Sequence, residues 1–229
     1  MSNEAWELVK KIEVSGVDLE LALQCAPLIA GLKVSNLLNI DIKELDRMEE
    51  LLKESSISWH ILYEDSYKAN VLLYNVKLLE DYLRRESVSR ELGKMGYEDC
   101  FVKSDVSCDN NCIDCMGYCY KDGMLNVLLN SFSKKYSDYM LSKKDFPHEL
   151  GFLLGYPVED IKGFINYKGE KYQYVGYWKV YKNPEQKKKI FEAFENAKES
   201  LINLLYHGVS MSEIISICCD KNRKIQINY

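Results

Sequence analysis

Ile57-Ser58-Trp59-His60-Ile61-Leu62-Tyr63 and Ala69-Asn70-Val71-Leu72-Leu73-Tyr74, joined by Glu64-Asp65-Ser66-Tyr67-Lys68, decide the fold class of this chain. Both runs are rich in β-branched and aromatic residues, and the polar joint is of hairpin length. They predict an antiparallel hairpin. Downstream, Tyr172 to Tyr181 reads as a third strand, and Lys224 to Ile227 as a frayed fourth.

Around these strands the periodicity is helical. Asp41 with Glu44 makes a capping-box pattern ahead of Leu45, Met48 and Leu52. Asn183 as N-cap and Pro184 at the first helical position open a long helix with Ile190, Phe191, Phe194, Ala197, Leu201, Leu204 and Leu205 on one stripe. Gly208 closes it, and Ser210 with Glu213 caps a last short helix. Further helical patterns cover 18–38, 77–95, 123–142 and 148–168. The expectation is one α+β domain over 1–229, mostly helical, with a small three- or four-stranded antiparallel sheet covered by helices on one face. A cysteine-rich insert at about 103–122 interrupts it.

With 47% hydrophobic and 28% charged residues, the 229-residue chain has the composition of a folded core. A net charge of −5 argues against a nucleic-acid partner, which selects a basic surplus. The start, Met1-Ser2-Asn3-Glu4-Ala5-Trp6, lacks the basic and apolar regions of a secretory signal, and no apolar run reaches the ~18 residues of a membrane span. The expected location is the cytoplasm. There, eight cysteines point to metal or redox chemistry before disulfides.

Four of them fall within twelve residues, as Cys108, Cys112, Cys115 and Cys119 with C-x3-C-x2-C-x3-C spacing. Thiolate centres need ligands that converge without a large loop, and the surrounding Asp, Asn and Gly favour turns over core packing. The candidate cofactor is an iron–sulfur cluster or zinc. The steps of four, three and four residues would also form one helical stripe, so plain packing is the competing reading.

Two further candidate sites come from single residues. Cys25 precedes Ala26-Pro27, where a helix start would lower the thiol pKa, and His148 beside Glu149 offers a base with an orienting carboxylate. A thiol enzyme would use Cys25 as nucleophile, His148 as base and Glu149 as orienter. Tyr156, and Tyr177 and Lys179 on one face of the Gly176–Tyr181 strand, are candidate ligand-binding residues, with Lys179 meeting an anion; Trp178 and Val180 on the other face are core. A solvated sheet face would explain the first set equally well. The glycines of 151–157 fit neither a phosphate loop nor a dinucleotide fingerprint.

Cys25-Ala26-Pro27 with Ala30-Gly31-Leu32-Lys33 and Asn36-Leu37, Phe146-Pro147-His148-Glu149-Leu150-Gly151, Gly155-Tyr156-Pro157-Val158-Glu159-Asp160, Gly163-Phe164-Ile165 and Gly176-Tyr177-Trp178-Lys179-Val180-Tyr181 occur in this order. The chain thereby resembles an uncharacterised bacterial family, domain of unknown function 3793, found mostly in anaerobic Gram-positive bacteria. The resemblance implies a cytosolic protein of an anaerobe, where oxygen-sensitive clusters survive, but no activity. This chain departs from the family's pattern in having Tyr172-Gln173-Tyr174-Val175 where members carry cysteines. The Cys108–Cys119 segment is an insertion relative to it. The leading expectation is a metal- or cluster-bearing accessory protein of anaerobic redox or iron metabolism, with a redox protein partner. The alternatives are the thiol enzyme and a non-catalytic module for a small anionic ligand or a protein.

Overall fold

The computed structural model describes residues 1–103, 118–119 and 123–219. Its elements in chain order begin with α1 (Asn3–Val9), α2 (Val17–Gln24), α3 (Ala26–Ile29), β1 (Ser35–Asp41), α4 (Leu45–Leu52), β2 (Ile57–Glu64) and β3 (Lys68–Asn75). Next come α5 (Val76–Leu83), α6 (Glu86–Leu92), β4 (Val102–Lys103), β5 (Tyr118–Cys119), α7 (Met124–Ser142), α8 (Leu150–Leu153) and α9 (Val158–Asn166). The last are β6 (Tyr174–Val175), β7 (Lys179–Val180), α10 (Pro184–Tyr206) and α11 (Met211–Cys218). The fold is α+β and mostly helical.

The predicted hairpin forms as β2–β3, with Ile57 opposite Asn75, Trp59 opposite Leu73 and a bulge between Ile61 and Tyr63. Its turn is tied by Asp65, whose Oδ1 accepts from the N–H groups of Tyr67 and Lys68 at 2.8 and 2.9 Å. The third strand is β1 and not 172–181: the antiparallel sheet runs β1–β3–β2. The predicted helix 18–38 ends early because the backbone turns at Gly31 (φ +70°) and continues as strand from Ser35. Residues 172–181 contribute only the separate two-residue pair β6–β7.

Helices cover both faces of the sheet, where sequence reading expected one. Val71, Leu72, Leu73 and Tyr74 are buried in succession, the mark of a strand with no wet face. Val71 and Leu73 join Leu38, Ile40, Met48, Leu201 and Ile214 in one core; Leu72 and Tyr74 join Leu62, Leu79, Phe132 and Phe152 in the other. A third, smaller cluster of Trp178, Val180, Phe191 and Phe194 seats the β6–β7 hairpin on α10.

Helix ends follow the sequence unevenly. Ser210 and Glu213 form the predicted capping box. The Asp41–Glu44 box does not form: Asp41 still belongs to β1, and Glu44 instead accepts from the Val17 N–H at 3.2 Å. Asn183 precedes α10 in a left-handed conformation (φ +51°) without a side-chain cap. The long helix read at 148–168 is split into α8 and α9 around Gly155-Tyr156-Pro157. Gly155 (φ +71°) is required there, since a Cβ would stand 2.5 Å from Val34 Cγ2. The helix read at 77–95 is split between α5 and α6. The expected strand Lys224–Ile227 lies outside the described residues. Among those residues no helix is long and apolar enough to cross a membrane.

Candidate functional site

The aromatic hairpin is fastened to the first turn of α9 by one carboxylate. Asp160 is 2% exposed. Its Oδ2 accepts from Trp178 Nε1 at 2.9 Å, and its Oδ1 accepts from the backbone N–H groups of Tyr181 at 2.8 Å and Lys182 at 3.2 Å. Three donors and the α9 N-terminus together offset the cost of burying the charge. Trp178 in turn stacks on Tyr156 with ring centroids 4.9 Å apart.

Beside this junction lies a cavity of about 280 Å³ whose wall includes Phe146, His148, Tyr156, Phe164, Trp178 and Lys179. Its lining is almost wholly apolar apart from a few groups. The His148 ring is wedged edge-on between Phe146 and Phe164, at 5.4 and 5.8 Å. Lys179 donates from Nζ to the Gly169 carbonyl at 2.7 Å and lies over the Tyr172 ring at 4.9 Å. Three of the sequence candidates, His148, Tyr156 and Lys179, thus come together here from three separate stretches. Tyr177 does not join them: its hydroxyl donates to Glu195 at 2.8 Å on the α10 side. Glu149 does not orient His148 but is buried in an ion pair with Lys135 at 2.8 Å.

Cys25 departs most from expectation. It does start α3, yet it is fully buried in the core, and burial pushes its thiol up to about 12. Desolvation outweighs a four-residue helix, so the lowered pKa read from Pro27 is corrected. Its Sγ accepts a long contact from Asn36 Nδ2 at 3.6 Å, while Asn36 Oδ1 accepts from Lys33 Nζ at 2.7 Å. Lys33, also buried, is lowered to about 8 by burial and lies 5.6 Å from the Tyr156 ring centroid. A polar chain from Cys25 through Asn36 and Lys33 therefore reaches the back of the Tyr156 ring. Sequence reading missed Lys33, Asn36 and Asp160 as site residues. All three stand in the stretches that carry the family resemblance, and Lys33 is also a cation inside an otherwise apolar run.

A family model described as "Protein of unknown function (DUF3793)" matches residues 21–215. The chain belongs to that family. The DUF3793 match runs from α2 into α11, so it takes in the Cys25–Asn36–Lys33 chain, the aromatic cavity and Asp160. No curated protein and no solved structure matches the chain.

Of the metal candidates, Cys108, Cys112 and Cys115 lie outside the described residues, and Cys119 is placed only by its backbone pairing with Val102. Among the described residues no three His, Cys, Asp or Glu side chains converge to hold a metal ion.

Proposed function

We propose that this protein is a binding module for a small, largely apolar ligand bearing one acidic group, seated in the cavity between α8, α9 and β7. The convergence of His148, Tyr156 and Lys179 on one cavity carries the reading. Its volume of about 280 Å³ lies at the small end of ligand sites, so the ligand is smaller than a typical cofactor. The aromatic wall takes a flat apolar body, and Lys179 and His148 supply donors for its acid group. Trp178 reports occupancy directly. Titration with aromatic carboxylates such as benzoate should change tryptophan fluorescence saturably, and Lys179→Met should weaken the response. A response that does not saturate, or that persists in Trp178→Phe, overturns the reading.

A second reading is favoured by the β4–β5 pair. Val102 pairs with Cys119, so the chain leading into the insert lies beside the last of the four cysteines, which suits a chelating loop. On this reading Cys108, Cys112, Cys115 and Cys119 hold an iron–sulfur cluster or zinc, in an accessory protein of anaerobic redox metabolism. Isolation without oxygen should then give about four irons with matching sulfide, or about one zinc, per chain. Metal-free protein with four freely titrating thiols in that segment sinks it.

A further inference from the structure

Helix α9 has two lined faces. Asp160, Ile161 and Phe164 border the aromatic cavity, while Glu159, Lys162, Gly163 and Asn166 border a second cleft of about 730 Å³. This cleft is bounded by the start of α10 and by the α5–α6 corner at Arg85. Arg85, Lys162, Lys182 and Lys187 line it, against the single carboxylate of Glu159. A local surplus of three positive charges in a chain of net charge −5 is a focused cationic site.

Two of these cations are already matched, Lys187 by Glu159 at 2.7 Å and Lys162 by Glu91 at 3.2 Å. Among the described residues, Arg85 and Lys182 meet no carboxylate at ion-pair distance; Arg85 lies over the Tyr82 ring at 5.5 Å. Gln186 and Lys187, in the first turn of α10, also border the cleft, but their backbone N–H groups already donate to the Asn183 carbonyl at 3.1 and 3.2 Å.

Independently of the charges, Tyr181 borders the cleft, is 7% exposed, and has a buried hydroxyl with no hydrogen-bond partner among the described residues. Buried hydroxyls are seldom left so. Tyr167 stacks on it with centroids 5.9 Å apart at 19°, and is itself 48% exposed. The Lys171 ammonium rests over the Tyr167 ring at 5.5 Å, a flexible cation that a ligand ring can displace.

We infer that this cleft binds a mononucleotide, its phosphate held by Arg85 and Lys182 and its base laid on Tyr167. A phosphate monoester carries nearly two negative charges near neutrality, which suits Arg85 and Lys182, the two lining cations without a contact ion pair among the described residues; one carboxylate would leave one of them unmatched. Arg supplies paired donors to such oxygens, and an exposed tyrosine face supplies stacking area. The cleft volume lies within the range of cofactor-sized ligands.

Calorimetric titration of the full chain with adenosine monophosphate, adenosine and inorganic phosphate tests this. Adenosine monophosphate should saturate the protein, and each fragment should bind at least ~10-fold more weakly. Arg85→Ala and Lys182→Ala, both at exposed positions, should each weaken the nucleotide ~10-fold or more, and Tyr167→Ala should weaken it without changing phosphate affinity. Lys179→Met, in the other cavity, should leave the nucleotide affinity unchanged, which separates this site from the ligand reading above. No saturable binding, phosphate binding as tightly as the nucleotide, or affinity indifferent to both cations would overturn the assignment.

Discussion

Trp178 Nε1 donates to Asp160 Oδ2 at 2.9 Å, and both groups are buried. Through this bond the first turn of α9 holds the indole that walls one cavity, and the backbone bonds from Tyr181 and Lys182 set the hairpin end beside the other. Asp160 is the common anchor of both candidate sites.

Asp160→Ala leaves an indole N–H and two backbone N–H groups without their acceptor. The expected loss of stability is about 2–4 kcal/mol, since buried donors bonded to a charge are costly to orphan. Asp160→Asn keeps one acceptor oxygen and should lose less. Urea denaturation measures both. A change below about 0.5 kcal/mol in the alanine variant would place Asp160 outside the anchoring role.

Gly163 makes room for Tyr181. A Cβ there would lie 2.3 Å from Tyr181 Cγ and 2.6 Å from its Cβ, the rigid base of the side chain. Gly163→Ala should therefore cost about 1–3 kcal/mol through overpacking, although alanine is the better helix former by up to ~1 kcal/mol. A neutral or stabilised variant in a thermal melt would show that the Tyr181 ring is not packed on α9.

Buried Lys33 and Cys25 give opposite pH dependences. Burial lowers Lys33 from 10.5 to about 8, so between those values the unfolded chain binds a proton that the folded chain does not. Stability therefore rises with pH across that window. Cys25 is raised by burial from 9.0 to about 12, so the folded chain keeps the proton that the unfolded one loses, and stability falls across its window. The urea midpoint should rise from pH about 8 to about 9, level off to about 10.5 where the two opposite slopes cancel, and fall above that. Lys33→Met should abolish the rise; a rise that survives it must come from another group.

Cys25 should resist alkylation in the folded protein. It is fully buried, whereas Cys218 near the end of α11 is half-buried. Pulse labelling with iodoacetamide, read by peptide mass spectrometry, should modify Cys218 first and Cys25 only once the chain unfolds. Equal rates would mean that the Cys25–Asn36–Lys33 chain opens to solvent without global unfolding.

What can be read directly from the residues is local: the β2–β3 hairpin from its β-rich runs, the start of α10 from Pro184, the Ser210–Glu213 capping box and the core role of Trp178 and Val180. Each depends on neighbours within a few positions, where propensity and capping chemistry act. His148, Tyr156 and Lys179 were recognisable as candidates, but not as parts of one cavity.

Only the tertiary structure decided which strand joins the sheet and which charges are buried. Ser35–Asp41 overlaps the end of the helical pattern read over 18–38 and becomes a strand because β3 offers it an edge. Val71 to Tyr74 needs apolar cover on both sides, which brings α10 and α11 to one face and α7 to the other. The same packing carries Cys25 away from water and reverses the pKa shift its helix position would impose, because desolvation of a fully buried thiol exceeds the pull of one helical turn. Asp160 reads in sequence as an ordinary acid in a first helical turn; its partners stand 18 to 22 residues away, and only folding brings them to it.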